Sequence, residues 1–388
     1  MSQDKPLSGI HVVEHTSGVA GAWAGRLLAA MGAEVTLVEP AALSVLRRTA
    51  PFLPSGESAL FAYVAADKKG VICDLETETG RASLASLLTA ADIFIDDTPV
   101  KGRASLGIDE AGIAARYPDL IHLSVLPFGA FGPKADWSGA EINLIHAGGE
   151  GFLLPNGLSA NMFPDRPPLK IAGHFAQMQG GVVAALSALS ALWSRKGQCV
   201  DVSIQDANAA VGAFAIQRFG DGSVEHRLTR SFRYGGVIAC SDGYVELLTL
   251  EERQWQGLVH LMGDPEWAQD PALNDAVARS NSGDMINEKI RAWACQFEVE
   301  DLVARAQELG VPMARYNAPH QILAGAHEVA RGAFQNVQTV ADGVIKVQAA
   351  PFRFADAPVG IDAAAPQPGA HQYILDATPP VLSKRVTI

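Results

Sequence analysis

Gly18-Val-Ala-Gly21, with Gly25 four residues further on, follows a short apolar run and opens an Ala- and Leu-rich stretch. Such a turn presents unpaired backbone amides at a helix N-terminus, a fair place for an anionic ligand. It is not G-x-G-x-x-G, so close helix–strand packing accounts for these glycines better than a dinucleotide does. Phosphoryl transfer of the P-loop kind has no G-x-x-x-x-G-K-[ST] to rest on, and a serine hydrolase has no G-x-S-x-G. His327-Glu328 lacks the second histidine of H-E-x-x-H, and the ten histidines are dispersed, so no metal site is assigned. Cys73, Cys199, Cys240 and Cys295 contain no C-x-x-C pair and read as reduced, mostly buried thiols of a cytosolic protein.

The elements that would position these residues alternate. Ile10–Glu14 is a β-type run, Ala20–Met31 is helical, Gly32 stops the helix, and Glu34–Val38 is a second strand. Gly70–Asp74, Ile93–Ile95 and Ile121–Val125 read as further strands with helical stretches between them, then a helix over Gln177–Arg195 and a strand at Cys199–Ser203. Strands alternating with helices imply a doubly wound α/β domain with a parallel sheet covered on both faces. From about residue 225 the texture changes to a hairpin near Ser241-Asp-Gly-Tyr244, a helix near Trp255 and a Pro/Asn-rich stretch over 264–283. The expected organisation is a large domain over 1–220, a small α+β domain over 225–325, and a segment over 326–388 returning to the large domain.

With 388 residues, 48% of them hydrophobic and 19% charged, the chain can bury a large core, which excludes disorder. Its net charge of −12 repels phosphate backbones and anionic lipid, so neither nucleic acid nor membrane is expected as a partner. The N-terminus lacks a signal pattern, and the uncharged run Gly180–Trp193 is too short to span a bilayer, so a cytoplasmic location is expected. An anionic ligand would have to be held by local cations and amides.

Longer patterns go further. Leu7-Ser-Gly-Ile-His-Val-Val13, Val19-Ala-Gly21 and the stretch Leu27–Glu39 resemble the opening of the class III CoA-transferases, the family of formyl-CoA transferase and the α-methylacyl-CoA racemases. The likeness continues in order through Asp67–Leu75, Ala91–Asp96, Ser105-Leu-Gly107, Phe128–Pro133, Gly197–Ser203, and Asp242-Gly-Tyr244 with Trp255. The resemblance implies a Rossmann-like large domain, a small domain, and two chains interlocked as a dimer. It implies coenzyme A or an acyl-CoA as substrate, together with a carboxylic acid, and no permanently bound cofactor. The CoA-contacting family positions fall at Val19, Ala20, Ala65 to Lys68, Asp97 and Thr98. Lys68 has the charge to offset part of the CoA phosphate, its plain alternative being an ordinary exposed lysine. Arg47, Arg48 and Arg103 are further cations nearby in sequence, and Pro40 stands where the family often has an arginine.

In the family transferases an Asp at the start of the long helix attacks the acyl-CoA thioester. An acyl-enzyme anhydride forms, and the returning thiolate converts it to an enzyme–CoA thioester. That position is Gln177 here, or Ala176 after a shift by one, and no Asp or Glu occurs between Arg166 and Val200. Ala140 stands where the racemase branch has a histidine, so racemisation is disfavoured as well. Glu141 matches a glutamate lining the formyl-CoA transferase site and is equally a carboxylate at a helix start. His146, Glu150 and His174 lie close by in sequence, His174 most simply as a locally hydrogen-bonded histidine. The resemblance therefore implies the non-nucleophilic subunit of a heteromeric CoA-transferase, partnered by a homologous Asp-bearing subunit. The alternatives are a self-sufficient homodimer using Glu141 or Glu150, and a CoA-ester binding protein without turnover.

Overall fold

The computed structural model describes residues 4–154, 165, 169–212 and 233–376. These belong to two compact units, one drawn from Met1–Gly151, Lys170–Gln217 and His327–Ile388, the other from Phe152–Leu169 and Arg218–Ala326.

In the first unit six strands form one sheet: β1 (His11–His15), β2 (Glu34–Glu39), β3 (Lys68–Ile72), β4 (Ile93–Asp96), β5 (Ile121–Leu126) and β6 (Gln198–Ser203). Their order is β3-β2-β1-β4-β5-β6, and every neighbouring pair is parallel. Parallel pairing demands crossovers, which helices supply. They are α1 (Val19–Ala30), α2 (Ala59–Val64), α3 (Glu78–Thr89), α4 (Val100–Leu106), α5 (Glu110–Arg116), α6 (Glu141–Ala147) and α7 (Phe175–Ser194), and α8 (Ile204–Val211) follows β6. This is the doubly wound, Rossmann-like arrangement, with the strand order reversing between β1 and β4. Ligands of such sheets sit outside the carboxyl ends of the strands at that reversal.

β4 and β5 are buried along their whole length, as strands covered on both faces must be. The α1 glycines are packing residues. A Cβ on Gly21 would lie 2.5 Å from Thr16 Cγ2, and one on Gly25 would lie 1.8 Å from Glu14 Oε2. On α7 a Cβ at Gly181 would reach 2.6 Å from the Ala20 carbonyl, so α1 and α7 approach almost backbone to backbone. α7 has 20 residues and is long and apolar enough to cross a membrane by length and composition, which corrects the shorter run read from the sequence. Its Gly/Ala face is nonetheless buried in this unit, through Ala176, Gly180, Gly181, Ala184 and Ala188.

The second unit has an antiparallel sheet of β7 (Gly236–Ala239), β8 (Tyr244–Leu247) and β9 (Met313–Arg315), the β7–β8 hairpin turning through Ser241–Gly243. With it pack α9 (Glu252–Leu261), α10 (Ala276–Asn281), α11 (Gly283–Ala294) and α12 (Val299–Glu308) around Trp255, Leu258, Ile286, Ile290 and Leu302. After α13 (Pro319–Ile322) and α14 (Ala326–Arg331), β10 (Phe334–Gln338) and β11 (Val344–Gln348) form a hairpin belonging to the first unit. The chain then covers the edge strand β3. His371 N–H donates to the Gly70 carbonyl at 3.0 Å, and Ile72 N–H donates to Gln372 Oε1 at 3.0 Å, which blunts an otherwise open ladder. All four cysteines are free, but only Cys73 is buried; Cys199 and Cys240 are half-buried and Cys295 is exposed, so most of them are not core thiols.

Candidate active site

β1 ends at His15, and Thr16–Gly18 lead into α1; β4 ends at Asp96, followed by Asp97 and Thr98. The first N–H groups of α1 have no partner within their own helix. Asp97 supplies one from the next strand. Ser17 N–H donates to its Oδ1 at 3.0 Å and Oδ2 at 2.9 Å, and Gly18 N–H donates to Oδ2 at 2.6 Å. Val19 N–H donates to Gln177 Oε1 at 3.1 Å. The amides that the glycine-rich turn seemed to offer an anionic ligand are therefore occupied by the chain's own side chains, which overturns that expectation. Burial pushes the Asp97 carboxyl up to about 6, against the Gly18 and Ser17 N–H bonds and with repulsion from Asp96 adding to it.

The start of α7 is closed in the same way. Its cap residue, His174, makes no side-chain capping bond. Glu141, the first residue of α6 and buried, accepts from Ala176 N–H at 2.7 Å and from Gln177 N–H at 3.2 Å. Glu141 thus opens one helix and caps another beside Gln177. A Cβ on Gly18 would lie 3.0 Å from Asp97 Oδ2 and 3.6 Å from Gln177 Oε1, so the carboxylate and the carboxamide flank the same turn. Gln177 Nε2 donates to no described group. His174 Nδ1 is buried without a hydrogen-bond partner among the described residues, contrary to the local bond expected of it. Glu150 opens a short 3-10 turn, half-buried, after α6.

Lys68 departs from expectation. Its side chain and that of Glu14 are fully buried. Nζ donates to Glu14 Oε1 at 2.8 Å, to Oε2 at 2.6 Å and to the Ala22 carbonyl at 2.8 Å, so all three donors are engaged and none is left for a phosphate. Burial pushes Glu14 up and Lys68 down, while their mutual attraction favours the charged forms. Val19, Ala20 and Ala65 are buried. Thr98 N–H is turned inward to Asp96 Oδ1 at 2.9 Å.

The other cations resolve similarly. Arg47 forms a fork on Glu39 at 2.8 and 2.7 Å and lies 4.0 Å over the Phe61 ring. Arg103 is buried, 3.0 Å from Asp96, and donates to Ser124 Oγ at 2.8 Å. Burial would raise Asp96, but His122 and Arg103 outweigh it and hold the carboxyl below its ordinary value. Arg48 is exposed and donates to the Ala42 carbonyl at 3.2 Å. Sequence reasoning did not single out Glu14, Asp96 or His122. The available signal was a charged or polar residue inside a strand buried on both faces, which has to find a partner.

Fold and site together define a Rossmann-like α/β protein whose switch point gathers two amide-bound carboxylates around a glutamine at the head of the long crossover helix. The family model for CoA-transferase family III matches residues 7–372, and the chain belongs to that family. It is 32% identical over 324 residues to a probable CoA-transferase of Mycobacterium tuberculosis, covering 81% of this chain but 40% of that longer protein. It is 28% identical over 377 residues to the succinyl-CoA–D-citramalate CoA-transferase of Chloroflexus aurantiacus, covering 95% of this chain and 92% of that one. Over 278 residues it is 30% identical to subunit BbsE of the succinyl-CoA:(R)-benzylsuccinate CoA-transferase of Thauera aromatica, covering 69% of this chain and 66% of that one. The crystal structure of a CAIB/BAIF family protein from Brucella suis superposes with a TM-score of 0.84 at 27% identity, over 96% of this chain and 99% of that one. Among the described residues no group of three or more His, Cys, Asp or Glu stands where it could hold a metal ion.

Proposed function

We propose that this chain is the non-nucleophilic subunit of a heteromeric, cytoplasmic acyl-CoA:carboxylate CoA-transferase, paired with a like-folded subunit that carries the attacking aspartate. Gln177 carries this reading. It occupies the position that the family likeness gives to the nucleophile, and a neutral carboxamide does not attack a thioester at a useful rate. The two carboxylates around it, Asp97 and Glu141, are each engaged by two backbone N–H groups, which lowers their value as substitutes. The likeness to a protein named as a transferase subunit supports the heteromer. In an interlocked dimer, a chain without the nucleophile still contributes its fold and its side of a shared cleft.

The test is native mass spectrometry of the tagged protein recovered from its own host without overexpression, followed by acyl-CoA labelling and hydroxylamine release. Two different chains, with the hydroxylamine-sensitive label on the partner, are expected. A homodimer that acquires the label by itself would overturn the proposal and direct attention to Glu141 and Glu150.

A further inference from the structure

Where α14 ends, Gly332 takes a left-handed φ of 64° and its N–H donates to the Val329 carbonyl at 3.0 Å, which turns the chain into β10. The loop after β11 comes back beside this turn, Ala349 N–H donating to the Ala333 carbonyl at 2.9 Å. Between turn and loop lies a cavity of about 360 Å³. Phe352 and Phe354 line it, their rings edge to face at 5.8 Å, together with Val329. Its polar side chains are Arg331, Arg353 and Gln335, and no Asp or Glu is on its wall. Both arginines are exposed, and neither makes a hydrogen bond, ion pair or ring contact among the described residues. Glu328 and Asp356, the acids nearest to them in sequence, are outside the lining. Gln335 Oε1 accepts from Ile361 N–H at 2.8 Å, which leaves its Nε2 without a partner among the described residues. Exposed Arg291 is unpaired as well; the distinction is that two such groups share one cavity without an acid.

A wall whose side-chain polar groups are donors, set among apolar and aromatic side chains, suits an organic anion. A planar guanidinium matches a carboxylate with two parallel N–H bonds, and the rings take the apolar body behind it. The volume falls within the range of small-molecule sites. We infer that this cavity binds a small carboxylic acid in its ionised form, the carboxylate on Arg331 and Arg353 and an aryl or short alkyl body against Phe352 and Phe354. The site is separate from the one at the switch point. The chain leaves the cavity at Val359, and Gly360 N–H then donates to the carbonyl of Ala30, the last residue of α1, at 2.9 Å. Asp97 and Gln177 meet the first residues of that helix, whose 12 residues span about 18 Å. The assignment does not depend on the transferase reading, because its donors and its walls belong to residues 329–359.

The assembly recovered from its host is photolabelled with azidobenzoate, digested, and the label mapped by mass spectrometry. The label is expected on peptides within 329–359, displaced by benzoate but not by the same concentration of benzyl alcohol or inorganic phosphate. Arg331→Gln and Arg353→Gln should each weaken the benzoate midpoint about tenfold, the scale of one charge-assisted contact. Should an arginine variant fail to assemble, Phe354→Ser carries the same test, since it removes part of the apolar wall and should weaken benzoate as well. No label within 329–359, or a benzoate midpoint unmoved in the variants that assemble, overturns the assignment. Label confined to the heads of α1 and α7 overturns it too and leaves the transferase reading standing. Displacement by phosphate as strong as by benzoate would reduce the arginines to a bare-anion patch, and displacement by benzyl alcohol would make the cavity merely apolar; either result overturns the carboxylate assignment.

Discussion

Glu14, on β1, and Asp97, directly after the adjacent β4, lie at the same end of the sheet, and the fold meets their charges by different means. Glu14 is sealed in the interior against an ammonium, with Thr16 Oγ1 donating to it at 3.1 Å. Asp97 faces the N-terminus of α1 and Glu141 faces that of α7, and backbone N–H groups hold both. The first arrangement fixes β1, β3 and α1 together, and Gly25 has no side chain because the Glu14 carboxylate lies where its Cβ would be. The second fills the positive ends of two helices with the protein's own carboxylates. In both cases charge is balanced inside the domain, so the region that normally receives an anion has few free donors left.

The largest effect should come from breaking the ion pair. Lys68→Met leaves Glu14 buried and uncompensated and should cost about 3–5 kcal/mol, read from the denaturant midpoint. The double variant with Glu14→Leu should recover most of that. A loss in Lys68→Met no greater than in Glu141→Ala would erase the distinction between the two arrangements. Glu141→Ala removes the acceptor for two N–H groups at the head of α7 and should cost about 1–2 kcal/mol, with Glu141→Gln losing less.

The last prediction is a slope with pH. The folded-state pKa of Asp97 is raised from 3.8 to about 6, so the folded protein binds this proton more tightly than the unfolded chain. The stability that this contributes is complete below the unfolded value and is lost as pH rises through the folded one. Thermal midpoints taken from about pH 4 to about pH 7 should therefore fall in the wild type relative to Asp97→Asn. A constant difference would mean that the N–H bonds from Ser17 and Gly18 fully offset burial.

Local pattern was enough to place β1, β2, β4 and β5 within a residue or two, because apolar runs between helix and turn signals need no distant partner to be read. The glycines of α1 were legible as packing residues for the same reason. β3 was read two residues late: its opening residues, Lys68 and Lys69, look like surface, and only the burial of Lys68 against Glu14 makes that end of the strand interior. Lys68 accordingly looked like a ligand for phosphate when it is an internal counter-ion.

The sequence by itself determined that the chain is α/β, which family it resembles, and that the chain segment between Arg166 and Val200, which builds α7, contains no Asp or Glu of its own, since each of these depends on residue type and order. Only the tertiary structure decided which charges are free. Lys68 reaches Glu14 across 54 positions, Asp97 reaches Gly18 across 79, and Gln177 reaches Val19 across 158. Those pairings follow from the parallel order β3-β2-β1-β4 and the close approach of α1 to α7. A buried charge has to be met by whatever the crossovers bring beside it, and separation along the chain does not reveal that partner.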